Sequence, residues 1–254
     1  MCRHLARLGP PVTLAELILD PPHSLYRQSW QPGHQRHGTV NADGFGIGWY
    51  PPDGEPPLRY RRSVPIWADS NLPDLARSLT GGAVLAAVRD ATPGTSQDET
   101  ACAPYRTGRW LFSHNGAVPD WRHLPDDLGA LLPSAVLLGL EAHCDSAVLW
   151  ALLHRRLADG EPPDEAVAAT VLEIAAVRPT ARLNLLLTDG LTIVASRWGD
   201  SLWYRSNGEL SEVASEPADA TPDWHEVPDR SLLLATRTAV RHTPLTPAER
   251  TLTA

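Results

Sequence analysis

The sequence contains no lysine, and all 22 of its basic residues are arginine. This absence excludes a lysine Schiff base, a lysine general base and a phosphate-binding loop of the Walker type. Cysteine is also scarce: three residues are too few, and odd in number, for a disulfide framework, and no Cys-x-x-Cys pair indicates structural zinc. We therefore expect a protein of a reducing compartment.

The 254-residue sequence also lacks long apolar runs. The longest, such as residues 83–88 and 183–187, fall far short of a membrane span, and the N-terminus lacks the apolar region of a signal peptide. We expect a soluble, cytoplasmic protein without a membrane partner. A net charge of −8 argues against nucleic acid as a partner, because phosphate binding relies on clustered positive charge.

The sequence does contain many short apolar or alternating runs separated by turn residues, which predict β-strands. These runs are residues 3–8, 44–50, 58–64, 83–89, 110–114, 183–188, 192–197, 202–205, 210–214 and 232–236. Helical patterns are residues 14–19, 72–79, 146–157 and 166–177. Many strands together with few helices indicate a layered α+β architecture. We expect one domain over residues 2–237 and a C-terminal tail over 238–254.

Cys2 follows the initiator methionine, so removal of Met1 would leave one residue with both a thiol and a free α-amine. A thiol attacks as the thiolate and needs a lowered pKa or an adjacent base. An α-amine that titrates near roughly 7.7–8.0 can be that base, directly or through one water. Cys2 is therefore a candidate nucleophile. The alternative is a small apolar residue that opens the first strand.

Arg89 and Thr92 lie at the end of a predicted buried strand. A guanidinium there can hold a substrate carboxylate through a bidentate pair. The alternative is a structural ion pair between Arg89 and an acidic neighbour such as Asp43 or Asp145. A Gly-x-Gly pattern within residues 41–50 enters a strand rather than opening a helix, which argues against a dinucleotide site there.

Two further motifs have both a chemical and a structural interpretation. Asn115 and Gly116 supply neutral donors that suit an oxyanion hole, although Asn-Gly at the end of a strand also predicts an ordinary tight turn. Asp145 is a predicted helix N-cap, and its carboxylate is free in that position to meet a substrate ammonium. Asp164 is the predicted N-cap of the next helix.

These motifs follow one another in an informative order. The order is Cys2, Arg89-x-x-Thr92, His114-Asn115-Gly116 and Asp145-Ser146. It resembles the class II glutamine amidotransferases, which are N-terminal-nucleophile hydrolases, and the resemblance extends from residue 2 to about residue 200. It implies a four-layer αββα sandwich and an enzyme that needs no metal or organic cofactor.

The resemblance also implies a role for each matching residue. Cys2 is implied to be the nucleophile and its amine the base, with Asn115 and Gly116 as the oxyanion hole. Substrate binding is implied for three residues: Arg89 with Thr92 for the glutamyl α-carboxylate, and Asp145 for the α-ammonium. The family often has His-Pro and Glu where this chain has Ala103-Pro104 and Ala147, so those positions carry over no role.

Residues 1–5, 41–50 and 214–217 resemble a stand-alone subgroup of the family. Within that subgroup, the resemblance is greatest to hydrolases that remove γ-glutamate from a small amide in ergothioneine biosynthesis. We expect the chain to lack the synthetase or phosphoribosyltransferase half that receives ammonia in other members of the family. One alternative is a glutaminase subunit that delivers ammonia to a separate synthase. Another is a non-catalytic binding module in which Cys2 and His4 contact a metal. The sequence leaves the oligomeric state open.

Overall fold

Two antiparallel β-sheets lie face to face in the structure, a computed structural model that describes residues 2–129 and 132–246. The strands are β1 Arg3–Thr13, β2 Phe45–Trp49, β3 Leu58–Arg62, β4 Thr80–Val88, β5 Tyr105–Thr107, β6 Trp110–Ala117, β7 Arg182–Thr188, β8 Thr192–Arg197, β9 Trp203–Ser206, β10 Ser211–Ala214, β11 His225–Glu226, β12 Ser231–Thr236 and β13 Val240–Pro244. Within the described residues, the first sheet has the order β11-β9-β10-β1-β4-β2-β3 and the second the order β13-β12-β8-β7-β6-β5.

Helices cover the outer faces of both sheets. They are α1 Leu14–Ile18, α2 Leu25–Gln28, α3 Leu72–Ser78, α4 Leu124–Asp127, α5 Ser134–Leu138, α6 Asp145–Ala158 and α7 Pro163–Val177. Single 3₁₀ turns occupy Ile66–Ala68, Glu99–Ala101 and Trp121–His123. Helices α1 to α3 pack on the first sheet, and α6 and α7 pack on the second. In the described part of the chain, no helix has both the length and the apolar character needed to cross a bilayer.

The alternation of side chains along the central strands creates three apolar layers. Ala6 and Leu8 of β1 meet Leu111 and Leu186 of the second sheet in the layer between the sheets. The intervening Leu5 faces outward into the layer under α1 and α3. The predicted α+β class and the αββα sandwich are therefore confirmed.

Each predicted strand overlaps an observed one, and the four predicted helices correspond to α1, α3, α6 and α7. The predicted tail begins too early: Val240–Pro244 forms β13, which pairs with β12. Its mostly polar, exposed residues lie on the edge of the sheet, where strand pairing does not require an apolar pattern. Residues 247–254 of that tail lie outside the described residues.

Two predicted helix caps are also wrong by one or two residues. Helix α6 has Cys144 as its N-cap and Asp145 as its first residue. Helix α7 has Pro162 as its N-cap, which places Asp164 in the first turn. Proline suits the start of a helix because the missing N–H costs no intrahelical hydrogen bond there.

Candidate active site

Cys2 lies at the N-terminal end of β1, where the layer between the two sheets opens to solvent. It is partly exposed. A small cavity surrounds it, and the lining residues include Phe45, Arg89, Tyr105, His114 and Ser146. Strands β1, β2, β4, β5 and β6 and the start of α6 therefore all contribute to the surroundings of the Cys2 thiol.

Burial distinguishes Cys2 from the other two cysteines. Burial raises the pKa of Cys102 to about 11, and its thiol donates to the carbonyl oxygen of Arg62 over 3.3 Å. Burial also raises the pKa of Cys144, whose Sγ lies 3.1 Å from Tyr105 Oη. Because a thiolate is the reactive form, Cys102 and Cys144 are poor candidates for a nucleophile, and Cys2 is the favoured one.

Arg89 follows β4 and reaches the cavity beside Cys2. The residue is 7% exposed, and its Nη2 donates to Thr95 Oγ1 at 3.1 Å and to the Ser96 carbonyl at 2.7 Å. Nη1 is buried and has no hydrogen-bond partner in the described part of the chain. A buried, unpaired guanidinium donor is a feature of a site that binds an anion such as a carboxylate.

The ion pair that was the alternative interpretation of Arg89 is not formed within residues 2–129 and 132–246. The Asp43 carboxylate accepts instead from the backbone N–H of Ala91 at 2.7 Å. The Asp145 carboxylate accepts from the backbone N–H of Val118 at 3.1 Å. The sequence could not decide between the two interpretations, because backbone donors from distant segments satisfy both carboxylates.

Thr92 itself is exposed, and its described contact is through the backbone. Its carbonyl accepts from the backbone N–H of Thr95 at 3.2 Å and from Thr95 Oγ1 at 2.7 Å. Thr95, three residues on, is the threonine whose hydroxyl contacts Arg89. Thr95 does not stand out in the sequence as a site residue. The signal that could have found it is the Thr92-Pro93-Gly94-Thr95 turn itself, since threonine hydroxyls commonly bond backbone within turns.

Asn115 and Gly116 lie within β6 rather than in a tight turn, so the predicted turn is wrong. Asn115 pairs with Asn184, and Gly116 with Leu183, of β7. Asn115 is fully buried: its Nδ2 lies 3.3 Å from Ser215 Oγ, and its Oδ1 has no partner in the described residues. A side chain on Gly116 would overlap the carbonyl oxygen of Arg182, so this close strand approach requires glycine.

His114 links β6 to α6. Its Nε2 lies 2.9 Å from the carbonyl oxygen of Arg182, so Nε2 must be the protonated nitrogen. In the neutral imidazole, Nδ1 then accepts from the Ser146 hydroxyl, over 3.1 Å. This bond holds Ser146 at the cavity, while the preceding Asp145 accepts from the backbone N–H of Ser146 at 2.8 Å. Asp145 is thus fixed next to the cavity without lining it.

Arg3 and Glu216 form a buried pair behind Cys2, with Arg3 Nη1 and Glu216 Oε1 3.2 Å apart. The other carboxylate oxygen accepts from His23 Nε2 at 2.8 Å and from the backbone N–H of Gly33 at 2.6 Å. Burial of Glu216 opposes its charged form, but the donors and the positive charge around it outweigh burial and lower its pKa. The pair fixes the start of β1 to the segments at residues 23 and 33.

His4 is fully buried between the sheets, with Nδ1 3.1 Å from Ser113 Oγ. Burial and the nearby positive charge of Arg3 lower the pKa of His4 to about 3, so its imidazole is neutral at physiological pH. In the described part of the chain, no three His, Cys, Asp or Glu side chains come together as a potential metal-binding group.

A partly exposed cysteine thus lies at the start of the first strand of an αββα sandwich, in one cavity with an arginine that has an unpaired guanidinium donor. The family model described as class-II glutamine amidotransferases matches residues 24–246, and the chain belongs to this family. The gamma-glutamyl-hercynylcysteine sulfoxide hydrolase of Mycolicibacterium smegmatis is 40% identical over 245 residues, covering 96% of this chain and 100% of that protein.

The hydrolase of the same name from Mycobacterium tuberculosis is 38% identical over 96% of this chain and 97% of its own length. A solved structure of a glutamine aminotransferase class-II domain protein from Silicibacter pomeroyi has a TM-score of 0.69 at 23% identity. It covers 97% of this chain and 100% of that one. The similarity to this solved structure supports the fold.

Proposed function

We propose that this chain hydrolyses the γ-glutamyl amide bond of γ-glutamyl-hercynylcysteine sulfoxide, releasing glutamate, through a thioester on Cys2. Two hydrolases of that substrate match nearly the whole chain at 38% to 40% identity, which supports the substrate. The observation that carries the chemistry is the unpaired Nη1 of Arg89 in the cavity of a partly exposed Cys2. Free thiols at all three cysteines support action in the reducing cytoplasm.

The first half of the proposed reaction forms the thioester. After removal of Met1, the α-amine of Cys2 takes the proton of its thiol, and the sulfur attacks the γ-carbonyl carbon of the substrate. A carbon–sulfur bond forms, and negative charge moves to the carbonyl oxygen. Donors from Asn115 and Gly116 stabilise that charge. The carbon–nitrogen bond then breaks, and the leaving amine takes the proton from the Cys2 ammonium.

The second half regenerates the enzyme. Water attacks the γ-glutamyl thioester, the free α-amine of Cys2 accepts a water proton, and the carbon–sulfur bond breaks to release glutamate and the thiol. The amino-acid end of the substrate is held by Arg89 at the carboxylate and by Asp145 at the ammonium. A desolvated carboxylate and ammonium each need a partner, which two residues of opposite charge supply. The proposal keeps Thr92 with Arg89 as a binder of the carboxylate.

A competition assay tests the substrate. The leaving half of the proposed substrate carries a permanent trimethylammonium, which favours aromatic faces and acidic neighbours. We expect a γ-glutamyl amide with a quaternary ammonium in its leaving group to have a kcat/KM at least tenfold above that of its uncharged isostere and of glutamine. Equal values would leave γ-glutamyl hydrolysis in place and remove the specific substrate. Preferred turnover of glutamine, raised by a partner synthase, would instead identify a glutaminase subunit.

A further inference from the structure

We propose that Ser215 is a positioning residue that orients the side-chain amide of Asn115, so that the amide presents N–H donors rather than its oxygen to the reacting carbonyl. This inference rests on the proposed role of Asn115 as an oxyanion donor. An asparagine amide has two orientations of nearly the same shape, and only one of them donates in a given direction. The surrounding hydrogen bonds must therefore select the orientation.

Ser215 has the contacts needed for this selection. It follows β10, is fully buried, and its Oγ lies 3.3 Å from the Asn115 amide. The backbone N–H of His4 donates to the same Oγ over 3.0 Å, and the Ser215 N–H donates to the His4 carbonyl over 2.9 Å. The two bonds to His4 hold Ser215 next to the strand that begins at the nucleophile. They leave the hydroxyl hydrogen of Ser215 available for donation.

Counting donors and acceptors decides between the two amide orientations. With Nδ2 of Asn115 directed at Ser215, the hydroxyl oxygen accepts two hydrogen bonds, and its hydrogen has no acceptor among the described contacts. The Asn115 Oδ1 is then also buried without a partner. Exchanging Oδ1 and Nδ2 lets the Ser215 hydroxyl donate to Oδ1 over the same 3.3 Å. Nδ2 is then the one group left without a partner among the described contacts, in place of two. Because a buried polar group without a partner destabilises the folded protein, the orientation with fewer such groups is favoured.

The exchange also determines what the site can do. It moves Nδ2 to the buried position that lacked a partner, where its N–H groups are free to meet a developing oxyanion. In the other orientation, an oxygen with its lone pairs would occupy that place and repel the negative charge. Ser215 therefore acts through Asn115 and does not contact the substrate.

A double-mutant cycle tests the inference with a chromogenic γ-glutamyl anilide as the substrate. Without the Ser215 hydroxyl, the amide samples both orientations, and a lost hydrogen bond of ordinary strength corresponds to about a tenfold change. We expect Ser215→Ala to lower kcat about tenfold with KM within about twofold of wild type. Asn115→Ala should lower kcat by roughly 10²–10³, as for other oxyanion donors. Adding Ser215→Ala to Asn115→Ala should then cause no further loss.

Ser196→Ala is the matched control. Ser196 is also fully buried in a strand, but among the described residues its hydroxyl bonds only the backbone of Leu183 and Leu185. We expect this variant to keep the wild-type kcat. If Ser215→Ala does not fold, Ser215→Cys replaces it in the cycle, because a thiol is a similar shape and a weaker donor. It should lower kcat severalfold.

Three results would overturn the inference. The first is a wild-type kcat in the folded Ser215 variant, and the second is a loss of the same size in the Asn115→Ala background. Either result would leave the proposed function intact. The third, a wild-type kcat in Asn115→Ala itself, would remove the oxyanion role from the proposed function and the positioning role with it.

Discussion

At the scale of single residues, the candidate site is marked by buried polar atoms that the fold leaves without partners. Arg89 Nη1 and one end of the Asn115 amide are both of this kind in the described part of the chain. Each such atom costs about 1–3 kcal/mol in the folded protein. A ligand with a carboxylate near Arg89 and a carbonyl near Asn115 would satisfy both, which is what a γ-glutamyl amide offers.

Arg89→Lys tests the carboxylate site. The substitution keeps the positive charge, but an ammonium cannot reproduce the planar geometry in which Nη2 bonds Thr95 and Ser96 while Nη1 is directed at a carboxylate. Loss of a buried charged hydrogen bond costs about 2–5 kcal/mol, so we expect kcat/KM to fall at least 30-fold. Steady-state kinetics with a γ-glutamyl anilide measure the change.

Arg109→Lys makes the same substitution at an arginine whose side chain is 70% exposed, and it should keep the wild-type kcat/KM. A wild-type value for Arg89→Lys would mean that Arg89 has a structural role at the end of β4.

Sequence reasoning reaches some of these residues and misses others for a physical reason. Cys2, Arg89 and Asn115 stand out by their chemistry and their order along the chain. Ser215 does not, because its relevant contact is with a residue 100 positions away. A serine has many uses in a fold, and only the three-dimensional contacts show which one applies.

At the scale of elements, β6 shows how tertiary pairing overrides a local preference. Asn-Gly favours a turn, but β6 lies inside its sheet, and β7 pairs with it from Leu111 to Ala117. Continuing the strand pairs Asn115 with Asn184 and Gly116 with Leu183, whereas a turn there would interrupt the ladder. This pairing is what brings the Asn115 amide into the layer between the sheets.

Three strands, β5, β11 and β13, were beyond the reach of the sequence patterns. Strand β5 has three residues and β11 has two, which is too few for an alternating pattern to be recognised. Strand β13 is exposed along most of its length. The longer strands and the two long helices were predictable because their apolar residues repeat at the required period.

Glu216→Gln tests the buried pair that anchors β1. The variant leaves the Arg3 guanidinium buried with a neutral neighbour, and breaking such a pair costs about 3–5 kcal/mol. Because the pKa of Glu216 is lowered on folding, its contribution is present above the unfolded value of 4.5 and lost as the pH falls through the lower folded pKa. Urea unfolding at pH 7 should show the full loss, which shrinks below pH 4.5.

Asp164→Asn is the control for that experiment. Asp164 pairs with Arg241 at 3.4 Å on the surface, so its loss should change the free energy of unfolding by less than about 1 kcal/mol. Equal, small effects of the two substitutions would show that the Arg3–Glu216 pair does not anchor the strand.

At the scale of the whole molecule, the layer between the sheets changes character along its length. Leucine and alanine fill it at Leu8, Leu111 and Leu186, whereas His4, Ser113 and Asn115 occupy the end nearest Cys2. The apolar part gives the sandwich its stability, and the polar end holds the donors in fixed positions. This division places the proposed chemistry at the edge of a rigid core, where substrate can enter.

The central claim is that Cys2, freed from Met1, is the nucleophile. Its most direct test is peptide mass spectrometry of the active protein after reaction with an electrophilic glutamine analogue. We predict that the adduct lies on an N-terminal peptide that begins at Cys2, and that Cys2→Ala folds normally but neither reacts nor hydrolyses substrate. An adduct on Cys102 or Cys144, retention of Met1 in active protein, or hydrolysis by Cys2→Ala would contradict the account.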